Sequence, residues 1–342
     1  MNQLSALATR HQQGNHPVFA PAPFLPILLM HERGLQFNRI LKHAADMAAA
    51  ALLNFELGFE TTVVPYDMNV EAEIIGYEVS YHETVDGNPV YPTIGARWIK
   101  STDDFDLPDD VAGAGRLPEI LRAIALIKEK SGGARAVGVF VPGPFTLAGQ
   151  VLDPDRMFVM VLKDPDALKA VLQKLTVLII MVRDAYVRAG ADYVVIEEGG
   201  ATTISPKSFE NLLLPELKKI FIEKKIPHLF SLTGKSDKYL EYMLEAGPDG
   251  IGVDQECDLD KLLETVPKGF PLFSLTGRYD LMATATVAEV RAAVRACLEK
   301  GITMAAPPAD IYPPAKIENI RAFVDELRVC PKQFQYCGAM KK

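Results

Sequence analysis

Carboxylates gather where short apolar runs end, and that pattern has chemical consequences. Tyr193–Ile196 is followed by Glu197 and Glu198, Gly250–Val253 by Asp254, Gln255 and Glu256, and Thr61–Pro65 by Tyr66, Asp67, Asn69, Glu71 and Glu73. His228 lies inside another such run, with Ser231 and Thr233 at its end. Carboxylates beside an imidazole can orient the ring, share a proton or complete an oxygen and nitrogen metal set. Glu198, His228 and Asp254 are therefore the candidate catalytic groups, with His228 also the candidate metal ligand. The alternative for His228 is a core histidine bonded to its neighbours.

Other polar residues suit a substrate. Tyr66, Asp67, Glu71, Arg278 and Tyr312 are the candidates for binding it. The planar fork of Arg278 matches a carboxylate or phosphate, or else closes a rim ion pair with Asp280 or Asp254. Glu71 and Glu73 share a face if their segment is extended and spread apart if it is helical. Tyr66 and Tyr312 offer a stacking surface or a phenolic donor, or they simply pack. Val141-Pro142-Gly143-Pro144-Phe145-Thr146-Leu147-Ala148-Gly149 turns sharply after an apolar run, as a strand end bordering an active site does.

The elements that must position these residues alternate. Strand-length apolar runs occur at Val18–Ala20, Thr61–Pro65, Ala136–Val141, Tyr193–Ile196, His228–Leu232, Gly250–Val253, Leu272–Leu275 and Thr303–Ala306. Between them, apolar residues spaced by three and four predict helices at Leu35–Leu57, Leu117–Lys130, Pro165–Ala189, Pro206–Lys224, Ser236–Glu245, Val287–Lys300 and Ala315–Leu327. Continuous rather than alternating apolar strands are buried on both faces. The expected fold is an α/β (β/α)8 TIM barrel, with working residues at the carboxyl ends of its strands. A β-rich insertion is expected after the second strand, at about 74–110, with Asp86-Gly87-Asn88-Pro89 as its turn. Residues 1–342 read as a single domain.

Bulk properties narrow the partners. A formal net charge of −8, with no local basic cluster, gives nucleic acid or an anionic bilayer nothing to bind. No apolar stretch reaches spanning length and the opening residues lack a secretion signal, so a cytoplasmic protein is expected. The four cysteines, Cys257, Cys297, Cys330 and Cys337, form no CxxC pair and read as ordinary thiols.

In order and spacing, four segments resemble the uroporphyrinogen decarboxylase superfamily: the Gly143–Gly149 turn, Val64-Pro65-Tyr66-Asp67-Met68-Asn69-Val70-Glu71-Ala72-Glu73, Gly252-Val253-Asp254-Gln255, and Ala306-Pro307-Pro308-Ala309-Asp310-Ile311-Tyr312-Pro313-Pro314. The nearer likeness is to its methylcobamide:coenzyme M methyltransferase branch and runs from about Pro17 to Leu327. The decarboxylases open with an arginine-rich motif that grips tetrapyrrole carboxylates, whereas Pro17-Val18-Phe19-Ala20-Pro21-Ala22-Pro23-Phe24-Leu25 has no arginine. The methyltransferase branch holds zinc with a His-x-Cys pair and a later cysteine. Matched at His228, the second position is Phe230, and Ala309 stands where the late cysteine belongs, so the thiolate ligands of zinc are absent.

What the resemblance implies is a corrinoid-dependent methyltransferase. It would move a methyl group between a small-molecule donor or acceptor and a cobalamin on a separate corrinoid protein. No Asp-x-His-x-x-Gly segment is present to hold the cobalamin in this chain. The alternatives are a lyase acting on a smaller anion anchored by Arg278, and a non-catalytic small-ligand-binding barrel.

Overall fold

The computed structural model describes residues 18–85, 88–308 and 314–329. Along the chain run β1 (Thr61–Val64), β2 (Val79–Ser80), β3 (Thr93–Ile94), β4 (Ala136–Pro142), β5 (Tyr193–Glu198), β6 (His228–Leu232), β7 (Gly250–Val253), β8 (Leu272–Leu275) and β9 (Met304–Ala306). Seven of them form one parallel sheet in the order β1-β4-β5-β6-β7-β8-β9, and β2 pairs with β3 separately and antiparallel.

The sheet curls. Phe19, Val63, Ala136, Phe140, Tyr193, Val195, Leu229, Phe273 and Met304 pack as one cluster on its concave side. Because β1 and β9 are the outermost strands and both contribute, the sheet has wrapped far enough to bring its ends to a shared interior. Alternate residues such as Val137, Val139, Val194, Ile196 and Phe230 face outward into the larger core shared with the helices. Glycines make the interior close-packed. A Cβ on Gly138 would overlap the Tyr193 ring, and one on Gly252 would overlap the Phe273 ring, so each glycine admits an aromatic side chain from the next strand.

Seven of the expected runs are strands, but Val18–Ala20 joins no ladder. It lies against β1 all the same: the Glu60 N–H donates to the Val18 carbonyl at 2.9 Å, and the Ala20 N–H to Thr61 Oγ1 at 2.8 Å. Phe19 drops into the interior, its ring 5.4 Å from Tyr193 and 6.3 Å from Phe273. Pro21 and Pro23 remove the donors that a regular strand would need next.

The insertion holds less strand than its sequence suggests. Tyr77–His82 and Val90–Ile99 yield only the two-residue strands β2 and β3, and Asp86 and Gly87 of the expected turn lie outside the described residues. Its anchor is Tyr77, which donates to the Val151 carbonyl at 2.5 Å and stacks on Trp98 at 5.1 Å.

Helices clothe the convex side. Leu117–Lys130 and Pro165–Ala189 form as expected, the latter capped by Asp164 and ended by Gly190 at φ 105°. The expected Leu35–Leu57 helix is two, Phe37–Ile40 and Ala44–Glu56. Pro206–Lys224 contains a π turn at Phe209–Leu213 before Leu214–Ile222, because Pro215 cannot donate into an α-helical ladder. Among the described residues, no helix is long and apolar enough to cross a membrane.

Candidate functional site

A cavity of about 360 Å³ opens at the carboxyl ends of the strands. Phe24, Met68, Phe140, Val195, Phe273, Leu275 and Pro307 make most of its wall. Its polar groups are Glu197, Ser231, Thr233, Asp254, Gln255 and Tyr279. No lysine, arginine or histidine lines it among the described residues. The size suits a small organic molecule, and a mostly apolar wall with a few convergent polar groups is how such sites are built.

Strand parity decides which carboxylate reaches this space. In β5, Tyr193 and Val195 face the interior, so Glu197 does too, and Glu198 must face the other way. Glu198 is fully buried behind the wall, where it accepts hydrogen bonds from the backbone N–H groups of Phe145 and Thr146 at 2.9 Å each and from the Thr146 hydroxyl at 2.7 Å. These are orphan donors at the start of the Pro144–Val151 helix, so the carboxylate caps it. Burial pushes the Glu198 carboxyl up to about 7, against the pull of these hydrogen bonds. Gly143 is required there, since a Cβ would overlap that carboxyl. The sharp turn after β4 thus serves as a helix start, and Glu198 holds it in place.

Asp254 does line the cavity. Its carboxylate is fixed by the Gly234 N–H at 2.5 Å and the Glu256 N–H at 2.7 Å, which ties the ends of β6 and β7 together. Of the expected catalytic groups it is the one that reaches the cavity.

His228 sits at the opposite, amino-terminal end of β6 and faces outward. Its ring lies 6.3 Å from Phe221 of the Leu214–Ile222 helix, and neither ring nitrogen has a hydrogen-bond partner. Burial, with Arg183 adding to it, pushes its pKa down to about 4, so the ring is neutral. His228 is thus a core histidine by position, but its ring lacks the bonds to its neighbours that the alternative expects. The inward residues of β6 are Leu229 and Ser231, followed by Thr233.

That parity bears on zinc. An i, i+2 ligand pair delivered to the cavity by this strand has to occupy Ser231 and Thr233, three residues beyond the His228 match, and neither supplies imidazole or thiolate. Among the described residues no three of His, Cys, Asp and Glu come together in a metal-holding group. Cys257 and Cys297 are buried, and burial raises both thiols to about 11. Zinc does not fit this donor set.

The candidates after β1 form a separate buried group. Glu71 and Glu73 lie on the helix Val70–Ile74, so they spread apart. Arg116 grips Asp67 with both terminal nitrogens, at 2.5 and 2.8 Å, and its Nε lies 3.0 Å from Glu73. Glu71 is fully buried with neither oxygen hydrogen-bonded, and burial pushes its carboxyl up to about 8. Tyr66 is buried in the same region, which raises its phenol. None of Tyr66, Asp67 and Glu71 lines the cavity.

Arg278 takes the rim-pair alternative: it bonds both oxygens of Asp280, at 2.8 and 2.9 Å, and Thr284 at 2.8 Å, on the exposed surface. Its neighbour Tyr279 reaches the cavity instead. Tyr312 lies outside the described residues. The sequence places Glu197, Ser231, Thr233 and Gln255 at strand ends without selecting them, because continuous apolar runs conceal which alternate set faces inward, and Tyr279 is a wall residue that the structure brings in.

Comparison with known proteins agrees with this architecture. The uroporphyrinogen decarboxylase (URO-D) family model matches residues 2–329. The chain is 27% identical over 315 residues to the methylcobamide:CoM methyltransferase MtaA of Methanosarcina barkeri, covering 86% of this chain and 88% of that protein. It is 26% identical over 289 residues to the methylcobamide:CoM methyltransferase MtbA of Methanosarcina acetivorans, covering 82% and 81%. Among solved structures, a methyltransferase from Methanosarcina mazei superposes with a TM-score of 0.85 at 26% identity, covering 92% of this chain and 93% of that one.

Proposed function

The chain belongs to the uroporphyrinogen decarboxylase (URO-D) family, and on that premise we propose that it is a methyltransferase that moves a methyl group from a small molecule to a corrinoid carried by a separate protein. The observation that carries this reading over decarboxylation is the cavity wall. A polycarboxylate needs cations, and the described wall supplies none, while Arg278 is committed to Asp280 outside it. The same observation weighs against a lyase for a smaller anion. We further take the chain as one domain, with Val18–Ala20 closing the curled sheet into a (β/α)8 barrel.

In this reading the chain's own residues bind and orient the donor. Phe140, Phe273 and Tyr279 pack against its apolar body, and Asp254, fixed by two backbone N–H groups, stays rigid while the donor turns its methyl group to the mouth. Holding the reacting atoms in line is worth several orders of magnitude in rate. A bound corrinoid supplies the strong nucleophile that accepts the methyl group. Ser231 and Thr233 offer hydroxyls where the relatives' branch would place zinc ligands, so acceptor activation by zinc forms no part of the mechanism.

Mixing the purified protein with cob(I)alamin and a panel of methylated amines, ethers and thioethers tests this. Methylcobalamin is the expected product. Carbon dioxide release from a carboxylated substrate, without methylcobalamin, would establish the lyase instead, and binding with neither product would establish a non-catalytic barrel.

A further inference from the structure

We infer that the cavity takes an N-methylated cation, a compact quaternary ammonium, as its methyl donor; this rests on the reading of the cavity as the donor site. Four aromatic rings, Phe24, Phe140, Phe273 and Tyr279, line it together with the carboxyl side chains Glu197 and Asp254. Aromatic faces and carboxylates attract a dispersed positive charge, and the apolar remainder of the wall accepts methyl groups without leaving polar groups unpaired. The described wall offers no cation to pair an anionic donor.

The chemistry agrees with the donor set. When a reduced corrinoid nucleophile attacks a methyl carbon of a quaternary ammonium, its electron pair forms the new bond while the carbon–nitrogen pair passes to nitrogen. The product leaves as a neutral tertiary amine. No proton and no metal are required to make it leave, whereas an ether or thioether leaves as an anion unless one or the other assists. The described wall carries no imidazole, no lysine and no metal-holding group. A donor that already bears its positive charge leaves without a proton from Glu197, Asp254 or Tyr279, the wall groups that could supply one.

Calorimetric titration with three isosteres tests the inference independently of turnover: choline, its neutral analogue 3,3-dimethylbutan-1-ol, and the anion 3,3-dimethylbutanoate. Choline is expected to bind about tenfold or more tighter than the neutral analogue, an advantage of cation–π size, with the anion weakest. In Glu197→Gln and in the rim variant Tyr279→Leu, choline affinity should fall several-fold while that of the neutral analogue holds. Equal affinity for choline and its neutral analogue, or tighter binding of the anion, would overturn the inference. Choline binding without methylcobalamin formation would leave the cavity's cation preference standing and remove the donor role together with the methyltransferase reading. Methylcobalamin formed only from neutral donors would do the reverse.

Discussion

Glu197 and Glu198 are adjacent in β5 and serve opposite sides of the sheet: Glu197 lines the cavity, while Glu198 caps the start of the Pro144–Val151 helix. The division follows from the pleat alone, since neighbouring side chains in a strand must diverge. One carboxyl is placed for ligand and the other for architecture.

Glu198→Gln should therefore behave as a stability variant. Above about pH 7, where the group is ionised, an amide has one acceptor oxygen where the carboxylate has two charged ones, and hydrogen bonds to charged groups contribute about 1.5–3 kcal/mol. Urea denaturation should show a loss of about 1–3 kcal/mol, with ligand affinity nearly unchanged. A large loss of affinity at unchanged stability would place Glu198 in the cavity.

Glu71 predicts a fall of stability with rising pH. Its carboxyl is pushed from the ordinary 4.5 up to about 8 by burial, so between those values the folded state holds a proton that the unfolded chain releases. Stability from this group is fully present below about pH 4.5 and is lost as the pH rises through about 8. Glu71→Gln should flatten that decline and raise the melting temperature most above pH 8, where the buried charge costs on the order of a few kcal/mol. An unchanged slope would mean that Glu71 stays ionised at a normal pKa.

His228 predicts the opposite slope, confined to acid. Its pKa is pushed down to about 4 by burial, so the unfolded chain binds a proton the folded state refuses between about 6.5 and 4. Stability is whole above about 6.5 and falls as the pH drops through that window. Replacing the unpartnered ring in His228→Leu should remove that component and leave methyl transfer and metal content as in the wild type. Loss of activity in this variant, with folding intact, would restore His228 to the chemistry.

Gly252→Ala should disturb the cavity through Phe273. The added methyl group overlaps the Phe273 ring, and overpacking of this kind costs about 1–3 kcal/mol. Because Phe273 also lines the cavity, ligand affinity should fall with stability. Both can be read from one thermal-shift titration. Affinity that survives the substitution would show that the ring is not part of the binding wall.

Much of the framework was legible because it depends on local signals. Seven strands and helices such as Leu117–Lys130 appear where apolar runs and three-and-four spacing place them. Val18–Ala20 was harder: its residues are apolar enough for a strand, but prolines immediately beyond break the ladder. The site was less legible. A buried parallel strand is apolar on both faces, so nothing in Tyr193–Ile196 announces that Glu197 rather than Glu198 faces inward, nor in β6 that Ser231 does and His228 does not. Asp254 is legible as a cavity-lining residue because it follows its strand directly, whereas Asp67 pairs with Arg116, a partner 49 residues distant in sequence.

The proposed methyl transfer starts from a donor held in the β-strand-end cavity. Its most direct test follows a ¹³C-methyl label from choline to cob(I)alamin by NMR in the wild type, Glu197→Gln and His228→Leu. Labelled methylcobalamin should form with the wild type and His228→Leu and drop sharply with Glu197→Gln. No label on cobalt with the wild type, or transfer lost in His228→Leu and kept in Glu197→Gln, would contradict it.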